Sequence, residues 1–169
     1  MKYPFRQGWL DSLCGVYSIV NAHRLVNGVH YNECQPLFDE IVKYLHRKKI
    51  LHKVMIEGIN HKNFSSIMEN VCQPIFPIME TNKRGFYNLD EWWDFSRCFL
   101  EEAPRRTIIL SLGGSHDHLT NVEKITDKKL FLFDSDGFAQ IRKSSCRLYG
   151  YLKKDKYVIY HSQCWYLGK

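Results

Sequence analysis

From Val16 onward the apolar positions fall at 16, 19, 20, 23 and 26, counting His23 for its apolar ring face, which is the one-sided spacing of a helix packed on a core. Asn27-Gly28 supplies a residue able to take a left-handed backbone, a usual helix stop. A second helix is predicted with Pro36 in its first turn and Leu37, Ile41, Tyr44 and Leu45 on one face, and Arg47-Lys48-Lys49 complements the dipole at its end. Asn60 or Asn63 is suited to cap a third, short helix with Phe64, Ile67, Met68 and Val71 inward, which Pro74 and Pro77 forbid from continuing. The segment 82–88 reads as a loop. Asn88 then caps a fourth helix that carries Leu89, Trp92, Trp93, Phe99 and Leu100 up to Pro104.

From Thr107 the texture changes to short runs of β-branched and aromatic residues, at 107–112, 118–125, 129–134, 138–142, 156–161 and 163–167, spaced as a meander. Helices followed by strands predict an α+β fold in which N-terminal helices pack on a C-terminal antiparallel sheet. With 169 residues and no linker or repeat, the chain reads as a single domain, 1–169.

Composition narrows the function classes. No apolar run approaches eighteen residues and Met1-Lys-Tyr-Pro-Phe-Arg6 lacks the apolar core of a signal peptide, so the expectation is a cytoplasmic protein without a membrane span, exported, if at all, by a specialised secretion machine. The six cysteines, at 14, 34, 72, 98, 146 and 164, form no Cys-x-x-Cys pair, which argues for reduced thiols and against a zinc site, and no cofactor is expected. A net charge of +6 raises nucleic acid as a partner. The cations are dispersed, however, with short clusters at Arg47-Lys48-Lys49, Arg105-Arg106 and Lys153-Lys154, so a solvated surface is the better reading. Nothing in the pattern assigns an oligomeric state.

The chemistry gathers around the start of the first helix. Cys14 stands there behind Asp11 and Ser12, both good N-cap residues, so first-turn N–H groups and the dipole favour an anionic thiolate. Gln7, seven residues upstream, offers a carboxamide N–H which, with the Cys14 N–H, suits the oxygen of a tetrahedral intermediate. His118 opens one predicted strand and Asp134 closes the next, so a hairpin brings carboxylate to imidazole. Each has a plainer use: a core thiol, a surface amide, a strand histidine and a turn-forming aspartate. Their order and spacing together favour a nucleophile, base and orienting acid. His116 and Asp136 are near alternatives, read as a loop histidine and a turn residue before Gly137. Trp9 is read as packing rather than a lid on the cleft, and Tyr17 and Asn21 as facing other elements.

The Gln-x6-Cys-Gly block, the strand-opening histidine and the Asp134-Ser-Asp-Gly137 block resemble the papain-like cysteine peptidase superfamily and, within it, the small bacterial C39-like peptidases. The resemblance implies a papain-like fold and a Cys14–His118–Asp134 triad with Gln7 in the oxyanion hole, acting on a protein or peptide substrate as a peptidase or amidase. Leader-peptide processors and secreted toxin effectors are among such proteins. The same triad serves glutamine deamidases and acyl or transglutaminase-type transferases, and degenerate C39-like domains act as catalytically silent binding modules.

Overall fold

The computed structural model describes residues 3–81, 85–149 and 156–169, so the predicted Lys153-Lys154 cluster and part of the predicted loop at 82–88 lie outside the described residues. Helix α1 (Cys14–Asn27) ends as expected at Gly28, which has φ 71° and donates its N–H to the Arg24 carbonyl. Its buried side takes in Val16, Ile19, Val20 and Val26 but leaves His23 half-buried, with Asn27 Nδ2 bonded to His23 Nδ1 at 2.9 Å. Helix α2 (Tyr31–Arg47) begins earlier than Pro36 suggests. The His30 N–H donates to the Glu33 carboxylate at 2.8 Å, an N-terminal lock that outweighs the proline signal and leaves Pro36 inside the helix. The face Leu37, Ile41, Tyr44 and Leu45 is buried as predicted.

Helix α3 (Leu51–Glu57) was not anticipated: it buries Val54 alone and so carries no periodic signal. Helix α4 (His61–Ile67) is capped by Asn60, whose side chain accepts the Asn63 N–H at 2.9 Å, and it continues as a π-turn through Met68–Cys72. Helix α5 (Leu89–Glu102) is capped by Asn88, which accepts the Glu91 N–H at 2.9 Å.

The strands are β1 (Ile78–Thr81), β2 (Thr107–Gly114), β3 (His118–Ile125), β4 (Lys129–Phe133), β5 (Gln140–Arg142), β6 (Cys146–Leu148), β7 (Tyr157–Ile159) and β8 (Trp165–Gly168). The predicted meander holds only from β2 to β5. The sheet order is β1-β8-β2-β3-β4-β5, so β8 lies between β1 and β2, while β7 takes the remainder of that edge of β2 and pairs in parallel with β6. The short strands β1 and β6 carry too few residues for alternation to reveal them.

Alternation along β2 and β8 sorts the core into two layers. Ile109, Trp165 and Leu167 join the side chains of α1, α2 and α4, whereas Ile108, Leu110, Leu112 and Tyr166 pack with Trp92 and Trp93 of α5. The sheet is covered on both faces, which is why Thr107 through Gly113 is buried without interruption. Polar anchors fix α5: Trp93 Nε1 donates to the Thr126 carbonyl at 2.7 Å and the Ser96 hydroxyl bonds the Tyr166 hydroxyl at 3.0 Å. The architecture is α+β. No helix among the described residues is long and apolar enough to cross a membrane.

Candidate active site

Cys14 is the first residue of α1, half-buried where the helix meets β3. Neither proposed cap behaves as one. Leu13 occupies the cap position, while Asp11 takes the Leu13 N–H at 3.1 Å and the Gly8 N–H at 2.8 Å, closing the loop before the helix. Ser12 turns away: its N–H donates to the Met55 carbonyl at 3.0 Å and its hydroxyl to the Ile56 carbonyl at 3.0 Å. The loop is thereby fastened to α3, and the thiol is held at the helix end by backbone rather than by a capping side chain. Gly15 permits the close approach this needs, since a Cβ there would lie 2.4 Å from Ile59 Cγ2 and 3.0 Å from Leu119 Cδ1.

His118 and Asp134 meet because of a bulge. In β3–β4, Ile125 pairs with Leu130 and Lys124 with Phe131, but the register then shifts so that Val122 pairs with Leu132 and Asn121 with Phe133. One further step sets Asp134 opposite Thr120, on the face shared with His118. Without the extra residue Asp134 would oppose Asn121 and point to the other face. The result is a contact of 2.6 Å between His118 Nε2 and Asp134 Oδ2, with side chains 3% and 0% exposed. The other carboxylate oxygen accepts the N–H groups of Asp136 at 2.8 Å and Phe138 at 3.1 Å, so the Asp-Ser-Asp-Gly turn orients the acid.

The electrostatics follow from that burial. Desolvation opposes a charged His118, but its hydrogen bonds to Asp134 and Cys14 and their charges prevail, and the imidazole is pushed up to about 9. Burial likewise opposes a charged Asp134, and the bond and charge of His118 overcome it, so the carboxyl sits below its ordinary range. Nε2 belongs to Asp134, which leaves Nδ1 as the nitrogen available to the thiol. Elsewhere burial alone drives Cys72 up to about 12, and burial drives Cys146 up to about 12 against the charge of Lys156 and Cys164 up to about 12 against a hydrogen bond from the Ser111 backbone. The thiol of Cys14 differs from these in having an imidazole within reach.

Gln7 is tied to the same turn, its N–H donating to the Ser135 carbonyl at 3.1 Å, and its side-chain oxygen is buried with no hydrogen-bond partner among the described residues. The arm before it is pinned by Asn21, which accepts the Phe5 N–H at 2.7 Å and donates to the Phe5 carbonyl at 3.1 Å. Asn21 thus faces another element, as expected, and Tyr17 stacks near Phe38 at 6.0 Å. Trp9 does not pack: it is fully exposed. His116 lies beside the buried pair, 5.1 Å from the His118 ring and 5.0 Å from Phe138, but its Nε2 is 3.7 Å from Asp136.

A cleft of about 260 Å³ opens at Cys14 and His118, walled by Ile59, Phe64 and Leu119 and by Ser111, Tyr160 and Gln163. The Ser111 hydroxyl donates to Gln163 Oε1 at 3.2 Å. Sequence reading missed Gln163 and Tyr160, which reach the cleft from the turn between β7 and β8 and carry no motif of their own. Among the described residues no cluster of histidine, cysteine and carboxylate side chains is arranged to hold a metal. No family model, curated protein or solved structure matches the chain.

Proposed function

We propose that this chain is a cysteine-dependent acyl hydrolase of papain-like architecture, with Cys14 as nucleophile, His118 as base and acid, Asp134 as orienting group and Gln7 with the Cys14 N–H as oxyanion donors. The observation that carries this reading is the buried His118–Asp134 contact at 2.6 Å, with the imidazole and Cys14 lining one cleft. A histidine held in its charged form beside a thiol favours the thiolate, the species that attacks carbonyl carbon.

In the reaction the thiolate sulfur forms a bond to the acyl carbon, and the carbonyl electrons move onto oxygen. Collapse of that intermediate breaks the bond to the leaving amine, which takes the imidazolium proton of His118. Water, deprotonated by His118, then attacks the thioester and releases the acid and the Cys14 thiol. Asp134 holds the ring so that Nδ1 faces sulfur in each step. Peptide and amide bonds are the substrates proposed, in keeping with a leader-peptide processor or an effector acting on protein.

The test is selective alkylation. Iodoacetamide at neutral pH, followed by peptide mass spectrometry, should label Cys14 ahead of the other five thiols, and Cys14→Ala should abolish turnover of protein and amide substrates with the circular dichroism unchanged. Uniform labelling, or activity retained in Cys14→Ala, would overturn the assignment.

A further inference from the structure

Nine large hydrophobic side chains are exposed among the described residues, and four of them share one place. Trp9 and Leu10 are fully exposed at the tip of the loop before Cys14, while Met55 and Ile56 are 44% and 63% exposed at the end of α3. The bonds from Ser12 to the Met55 and Ile56 carbonyls draw these two segments together. The loop is braced from within, since Asp11 accepts the N–H groups of Gly8 and Leu13. Loop tips usually carry polar residues, and exposed apolar side chains on two segments tied together by hydrogen bonds are a feature that commonly marks a contact surface.

The patch is continuous with the cleft. Ser12 lies against Gly58, its carbonyl oxygen 3.6 Å from where a Cβ would stand, and Gly58 and Ile59 line the cleft beside Cys14. The cleft rim and the two apolar segments therefore adjoin where Ser12 meets the chain from Met55 to Gly58. On the reading that Cys14 is the nucleophile, we propose that these four side chains are a docking platform for an apolar segment of a polypeptide substrate, outside the residues that flank the cleaved bond. The enzyme then selects extended or unfolded polypeptides over small amides and esters, because only a chain long enough to span cleft and platform gains both contacts.

The experiment uses 4-nitrophenyl acetate as a small acyl substrate and reduced, carboxymethylated casein as its competitor, which reports binding across the cleft whether or not it is cut. Wild type is compared with Trp9→Ser/Leu10→Ser and with Met55→Ser/Ile56→Ser. Casein should inhibit wild-type ester hydrolysis competitively, and each double variant should raise its inhibition constant about tenfold, while ester kcat/KM and Cys14 alkylation stay within about twofold of wild type. Absence of inhibition in wild type, or equal inhibition constants in all three proteins, overturns the platform. So does an unchanged casein constant accompanied by loss of self-association in sedimentation, or by loss of binding to phosphatidylcholine–phosphatidylglycerol vesicles, since the patch would then serve a second copy or a lipid surface. Failure of wild type to hydrolyse the ester or to alkylate at Cys14 overturns the hydrolase reading, and the platform with it.

Discussion

Two histidine–aspartate pairs stand side by side at the end of one hairpin, separated by two residues on each strand, yet they are physically different objects. His118 and Asp134 are buried and touch at 2.6 Å; His116 and Asp136 have side chains 38% and 45% exposed and stand 3.7 Å apart. In the deeper pair His118 opens β3 under α1 and Asp134 follows the end of β4, whereas His116 sits in the loop before β3, half exposed to water. Identical residue types at identical spacing thus acquire different chemistry from depth alone: one imidazole is held charged against a helix-borne thiol, and the other rests against Phe138 at the rim.

Substitutions break this contrast in graded steps. His118→Ala should cost the most, roughly 10⁴-fold or more in kcat, because members of a triad act as a unit, and alkylation of Cys14 should slow with it. Asp134→Asn comes next, at about 10³–10⁴-fold, and it has a signature in pH. His118 is raised to about 9 and Asp134 is lowered, so the charged pair is present above the range where Asp134 is protonated and is lost as pH rises through about 9. The alkaline limb of kcat/KM should therefore lie near pH 9 in wild type and move to lower pH in Asp134→Asn. A limb that stays in place would remove Asp134 from its role.

Gln7→Ala should reduce turnover by about 10²–10³-fold while Cys14 alkylates at nearly the wild-type rate, since an oxyanion donor acts only after attack. If both fall together, the Gln7 side chain serves the fold of the loop before α1 rather than an oxyanion. His116→Ala should change kcat/KM least, within about threefold, as expected for a screened surface pair. A loss comparable to that of His118→Ala would exchange the roles of the two pairs.

The sequence made some of this legible. Asn60 and Asn88 announce their helices because a cap is a local bond, and β3 shows its bounds because its run is long and ends at the polar turn 126–129. The meeting of His118 and Asp134 followed from assuming a hairpin, but the face on which Asp134 points depends on a one-residue register shift between Val122 and Lys124 that no residue type advertises. Asp11 and Ser12 were good cap residues spent on other bonds, a choice made by the neighbouring loop and by α3. The insertion of β8 between β1 and β2 was likewise invisible, because strand order is decided by packing across long separations.

That insertion bears on when Cys14 and His118 come together during folding. Strand β8 seals the sheet by pairing with two strands made far earlier in the chain, and it carries Trp165 and Leu167 into the layer beneath α1. Local pairing of β2 through β4 closes short loops and is topologically cheap, while the β1–β8–β2 closure and the seating of α1 on β3 join distant segments and form slowly. A chain part-way through folding can hold the His118–Asp134 pair without presenting it to Cys14. On the proposed reading, base and nucleophile come together only when the last long-range contacts close, so a capacity to cut would belong to the finished molecule.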